Sequence, residues 1–106
     1  MTSELERELR GRMIDATILC KRDLGWNPTA AVEMIREQGA AEAARRMVML
    51  PDGSSGFARC WENNRLDLAV ESIILDAKFA PLFTADVLNI ARNRLEEAGS
   101  RPPRRA

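Results

Sequence analysis

Apolar residues recur every three or four positions through the first quarter of the chain, as expected for an amphipathic helix. The stripe consists of Leu5, Leu9, Met13, Ala16, Cys20 and Leu24, flanked by Ile14 and Ile18. Ser3 and Glu6 have the spacing of a capping box, in which Glu6 also reaches back to the Ser3 amide. Gly25 provides a stop, so the pattern predicts a first helix of about six turns.

The same period continues in shorter segments that are separated by helix-breaking residues. The predicted helices are 28–39, 40–50, 57–61, 68–75 and 85–99. Asp67 and Thr84 are expected to cap the last two, and 76–83 is expected to be an irregular apolar connection. No segment alternates between apolar and polar residues in the manner of a strand. The pattern therefore predicts an all-α fold, a compact orthogonal bundle of five to six helices with a long first helix.

The length of 106 residues predicts one small domain, at 1–99, followed by a disordered tail at 100–106. The tail holds two prolines and three arginines, Arg101, Arg104 and Arg105. The whole chain has 16 basic and 16 acidic side chains, so net charge favours no polyanionic partner. A solvated tail is the simplest interpretation, and binding to an acidic or nucleic-acid partner is the alternative.

The composition argues against an enzyme. Histidine is absent, which removes the most frequent general base and the most frequent metal ligand. Cys20 and Cys60 lie far apart in sequence without a CxxC motif, so we expect two partly buried free thiols in a reducing cytoplasm. The polar start at 2–6 does not resemble a signal peptide. We therefore expect a cytoplasmic protein without catalytic residues, metal site or cofactor, and without membrane association.

Glu71 is the most unusual charged residue, because it lies between Val70 and Ile73 in an apolar segment. A buried carboxylate needs a cationic partner, and the candidates are Arg46, Arg59 and Arg94. We therefore interpret Glu71 as half of a structural buried ion pair. A catalytic role together with Asp67 is disfavoured, since no other catalytic residue type accompanies the two.

Arg45 and Arg46 are adjacent in the middle of the predicted third helix. Both can reach Glu42 or Asp52, so ordinary surface ion pairs are the favoured interpretation. Guanidinium groups also suit phosphate, and nucleic-acid binding by Arg45, Arg46 and the tail arginines is the alternative.

An ordered series of short motifs between Ala41 and Leu95 resembles a helical domain that recurs in uncharacterised bacterial proteins. The matching pieces are Ala43–Arg46, Ser55-Gly56-Phe57, Trp61-Glu62, Arg65–Leu68 with Glu71, Pro81–Thr84 and Ala91–Leu95. Leu24–Thr29 also fits, with Trp26 where tyrosine is more usual, and Asn64 stands where glycine is typical. The resemblance implies a helical unit with Phe57, Leu66, Leu68, Phe83 and Leu95 in its core. It also implies an association, in some proteins, with nuclease or defence functions, but no activity.

We therefore expect a non-catalytic cytoplasmic protein-interaction module, and the resemblance suggests an accessory subunit of a bacterial defence or nucleic-acid-processing system. The alternative is an accessory nucleic-acid-binding protein. The first helix carries a wider apolar stripe than a small domain readily covers, and Gly11 permits a close helix approach. This predicts a homodimer through residues 3–24, with Leu5, Leu9, Met13, Ala16 and Cys20 in the interface.

Overall fold

The computed structural model describes residues 3–51 and 55–99, which form a bundle of helices without strands. The six α-helices are α1 (Glu4–Leu24), α2 (Thr29–Gln38), α3 (Ala40–Met49), α4 (Ser55–Glu62), α5 (Val70–Ile74) and α6 (Ala85–Gly99). Two 3₁₀ segments, Leu66–Leu68 and Ala77–Leu82, flank α5. The predicted all-α fold with a long first helix is confirmed. The tail at 100–106 and the centre of the loop after α3 lie outside the described residues.

The helix ends follow local sequence signals. Gly25 adopts a left-handed conformation (φ 65°), and the Trp26 amide donates to the Cys20 carbonyl oxygen at 3.4 Å, which closes α1 as predicted. Thr84 caps α6 by accepting from the Val87 amide at 3.3 Å. Asn64 also has a left-handed backbone (φ 59°), which explains why glycine suits this position.

The segment between α4 and α6 differs from the prediction. Asp67 does not cap α5, because it lies inside a 3₁₀ turn and Ala69 occupies the N-cap position. The expected irregular connection at 76–83 is mostly the 3₁₀ segment Ala77–Leu82, which contains Pro81 and buries Phe79 completely. Asp76 accepts from the Lys78 amide at the start of this segment, so a local aspartate cap orders it.

Glu6 makes a contact that the capping-box pattern does not predict. The Glu6 amide donates to Ser3 Oγ at 3.0 Å, as expected. The Glu6 carboxylate instead accepts from the Ala41 amide, at 3.1 Å from each of its oxygens. A side chain in the first turn of α1 thus caps the N-terminus of α3, where Gly39 has no side chain to do so.

The interior consists of two apolar clusters. The main cluster joins α1, α2, α3, α5, α6 and the 3₁₀ segment Ala77–Leu82, and Leu9, Ala43 and Phe79 are among its fully buried members. A smaller one surrounds Cys20 and Cys60. Of the core residues that the resemblance implies, only Leu68 is buried; the other four are half-buried. Within the described residues, no helix combines the length and the apolar character needed to cross a membrane.

Candidate functional site

The apolar stripe of α1 faces the interior of the domain, which corrects the predicted interface. Leu9, Met13, Ala16 and Cys20 are all buried by the domain's own helices, and Leu5 is half-buried against the main cluster. Nothing lies within 4 Å of a Cβ built on Gly11, so that glycine supports no close helix approach. A small bundle covers this stripe because α3 and α5 pack along it, so its four buried residues are not available to a second copy. The homodimer itself stays a prediction.

Arg45 and Arg46 are both held by Glu42, at 2.6 and 2.9 Å respectively. The two arginines hold the pKa of Glu42 at about 2 through hydrogen bonds. A carboxylate that already neutralises this basic group weakens its attraction for phosphate. The other arginines of the predicted nucleic-acid site, Arg101, Arg104 and Arg105, lie outside the described residues.

Glu71 is completely buried, and Arg94 is its partner among the three candidate arginines. Glu71 Oε2 accepts from Arg94 Nη1 at 2.9 Å, while Glu71 Oε1 has no protein hydrogen-bond partner among the described residues. Arg94 also donates to the carbonyl oxygens of Val48 (2.7 Å) and Leu50 (2.9 Å). This pair therefore fastens α5 and α6 to the C-terminal end of α3, which is a structural task.

The most distinctive feature of the surface is an apolar cavity of about 350 Å³ that lies between the two clusters and opens to solvent. Its walls come from α1 to α5 and are mainly aliphatic, aromatic or sulfur-containing. Representative lining residues are Met13, Met34, Met47, Trp26, Phe57 and Ile73. The volume lies within the range of roughly 300–1,000 Å³ that is typical of small ligand pockets. Three of the five methionines line it, and flexible methionine side chains adapt to varied apolar shapes.

The rim of the cavity is positively polarised. The guanidinium carbon of Arg59 lies 5.8 Å from the centre of the Trp26 ring, and no described carboxylate pairs with it. The first residues of α2 also line the cavity, and this helix has neither an acidic residue in its first turn nor a side-chain cap. The N-terminal end of this helix, which no side chain caps, adds partial positive charge beside the opening.

Cys20 and Cys60 form part of the wall as buried free thiols. Burial raises the pKa of Cys60 to about 12, and the neighbouring Cys20 reinforces the shift. Burial likewise raises the pKa of Cys20, against the hydrogen bond from Cys60. A thiol with such a pKa is a poor nucleophile at neutral pH, so the pair acts here as apolar wall.

The cavity escaped prediction from sequence because its lining residues also fit a core. A methionine or tryptophan at a helical spacing gives the same signal whether a neighbouring helix covers it or leaves a space. Gly25-Trp26-Asn27-Pro28, a helix break with a large aromatic residue, was the one available hint.

Among the described residues, no group of three or more cysteine, aspartate or glutamate side chains is placed to hold a metal ion.

No protein-family model matches this chain, and no similar protein was found among curated proteins or solved structures. The resemblance to the bacterial helical domain therefore stays a prediction.

Proposed function

We propose that this chain is a non-catalytic cytoplasmic interaction module that binds a partner protein through the apolar cavity. The observation that supports this proposal is the open cavity of about 350 Å³ between the two clusters. Interfaces are dominated by a few aromatic or aliphatic anchors that enter such pockets. A role as an accessory subunit in defence or nucleic-acid processing, as the resemblance implies, fits a module of this kind.

The partner that suits this site is an amphipathic segment with an apolar anchor and an acidic residue beside it. The anchor would contact Met34, Met47 and Phe57 within the cavity. The acidic residue would meet Arg59, which has no carboxylate partner among the described residues. The uncapped start of α2 favours the same sign of charge. Helices that insert apolar anchors into a groove are a common mode of peptide recognition.

Selection from a randomised displayed-peptide library, with the purified protein as bait, tests this proposal. We expect enriched peptides with aromatic or large aliphatic residues at helical spacing and with aspartate or glutamate next to them. Ala31→Trp fills the cavity from α2 and should abolish capture of these peptides. Ala85→Trp adds the same side chain at an exposed position on α6, away from the cavity, and should leave capture unchanged.

Charge reversal at the rim separates the two parts of the proposal. Arg59→Glu should shift the enriched peptides from acidic to basic flanking residues while the apolar anchor persists. Circular dichroism and thermal unfolding confirm that each variant folds. A library that yields no apolar consensus, or capture that is equal in Ala31→Trp and Ala85→Trp, contradicts the proposed function.

A further inference from the structure

A second pocket, of about 530 Å³, lies on another part of the surface, where the beginning of α1 meets the junction of α2 and α3. Its lining is polar as well as apolar, in contrast to the apolar cavity. Three arginines, Arg7 and Arg10 from α1 and Arg36 from α2, contribute to its walls. None of them belonged to the basic groups that the sequence singled out as a nucleic-acid site.

These three arginines have no ion-pair partner among the described residues. Several other arginines of the described residues are paired with a carboxylate, as Arg12 is with Asp76 at 3.2 Å. Arg7 and Arg10 are three residues apart on one helix, a spacing at which like charges destabilise the helix. The pocket therefore gathers positive charge that the fold itself does not neutralise.

Glu6 is the single carboxylate among the lining residues, and it is already engaged with the Ala41 amide at 3.1 Å. Because Glu6 already occupies the Ala41 amide, the three arginines are the main donors that the pocket offers to an incoming anion. Three positive charges against one negative charge leave the pocket cationic.

We propose that the pocket formed by Arg7, Arg10 and Arg36 binds the phosphate group of a small phosphorylated molecule. A phosphate monoester carries about −1.5 to −2 charges at neutral pH and three acceptor oxygens, and planar guanidinium forks bind such groups in a bidentate manner. The concave shape at a helix junction favours a terminal phosphate that enters the pocket over the convex backbone of a duplex. This inference is independent of the interaction proposed for the apolar cavity.

Titration followed by amide chemical shifts tests the proposal with five probes, of which the first four are inorganic phosphate, adenosine monophosphate, a hexose phosphate and unphosphorylated adenosine. The three phosphates should shift the amides of Gly39 and Ala40 saturably, and adenosine should not. The relative affinities of the nucleotide and the sugar phosphate identify which source fits the pocket. A short single-stranded oligonucleotide without a terminal phosphate is the fifth probe, and tighter binding of it than of the monophosphates overturns the proposal.

Variants assign the binding to this pocket. Arg36→Gln or Arg7→Gln should weaken phosphate binding by about ten- to a hundredfold, because each removes charge-assisted hydrogen bonds. Arg92→Gln, on α6 and bonded to Asn89, should have no effect. Glu6→Gln keeps an acceptor for the Ala41 amide and removes the negative charge, so it should strengthen binding. Absence of saturable binding, or equal losses in Arg36→Gln and Arg92→Gln, overturns the proposal.

Discussion

Two carboxylates in this protein are held by arginine at nearly the same distance, and their surroundings give the contacts opposite consequences. Glu42 Oε2 lies 2.9 Å from Arg46 on the surface, and Glu71 Oε2 lies 2.9 Å from Arg94 inside the bundle. The side chain of Glu42 is 38% exposed, whereas that of Glu71 is fully buried. The arginines bring the pKa of Glu42 down to about 2, but desolvation raises the pKa of Glu71 despite Arg94.

The comparison shows that desolvation, and not pairing distance, decides what an ion pair contributes. Water already solvates Glu42, so its arginines add little to the stability of the fold. Glu71 has lost its hydration and depends on one guanidinium, while its second oxygen lacks a protein partner among the described residues. The buried pair therefore determines how helices are positioned, and the exposed pair only adjusts local charge.

The largest effect is expected from Arg94→Met. Without the guanidinium, Glu71 either keeps an uncompensated buried charge or takes up a proton, and the carbonyls of Val48 and Leu50 lose their donor. Removing one partner of a buried pair costs about 3–5 kcal/mol. Urea unfolding at neutral pH measures this change in the free energy of unfolding.

The double variant Arg94→Met with Glu71→Leu is the control for this prediction. It removes both charges, so it should be clearly more stable than Arg94→Met alone, although the Val48 and Leu50 carbonyls still lack their partner. Equal stability of the single and double variants would show that Glu71 carries no penalty when it is unpaired.

A smaller effect with a definite sign concerns pH. The pKa of Glu71 is raised in the folded state above the value of about 4.5 in the unfolded chain. At pH values between the two, the folded chain binds more protons than the unfolded chain, so stability falls as pH rises above about 4.5. Below that value the carboxyl is protonated in both states, so its contribution is constant. Glu42 and Asp23 have the opposite sign, since their pKa values of about 2 mean that any stability they add is lost as pH falls toward that value. Solvent screening keeps this contribution small for such exposed groups. Unfolding of the wild type relative to Glu71→Gln should show the first trend, and a difference independent of pH contradicts it.

The Glu6 cap should have an effect on stability between those of the buried Glu71 pair and the exposed Glu42 pair. Glu6 is half-buried, and its carboxylate binds a backbone amide. Glu6→Ala leaves the N-terminus of α3 without its carboxylate and should cost about 1 kcal/mol, the typical value for a lost N-cap. Glu4→Ala removes an acidic residue from the same first turn of α1 and controls for the helix dipole. Thermal unfolding of both variants measures the difference, and equal losses would show that the contact with Ala41 contributes nothing.

Local signals in the sequence suffice to predict where most helices begin and end. They fail to predict contacts that depend on how the helices pack against each other. Gly25 and Thr84 act on adjacent backbone, so their roles as helix stop and cap are visible in the sequence. In a capping box the Glu6 carboxylate would accept a hydrogen bond from the Ser3 amide. In the folded bundle it accepts instead from the Ala41 amide, at the start of α3. A contact across 35 positions leaves no trace in a capping motif.

For the candidate sites, too, the sequence indicates the residue types, and the packing of the helices decides which residues meet. An apolar environment in the sequence indicated that Glu71 needs a cation, but three arginines were equally suitable until the helices were positioned. The apolar stripe of α1 could not indicate whether its own domain or a second copy covers it. Arg7, Arg10 and Arg36 are scattered in sequence, and only the junction of α1 with α2 and α3 places them around one pocket.

The smallest effect is expected from Glu42→Gln, the surface counterpart of the change at Glu71. Both side chains of the Arg45 pair are well exposed, and water replaces the lost contacts with Arg45 and Arg46. The midpoint of urea unfolding should stay within experimental error at neutral pH. The variant also frees two guanidinium groups, so weak binding to an oligonucleotide at low salt should increase and disappear at high salt. A large loss of stability in Glu42→Gln would show that exposure does not separate the two ion pairs.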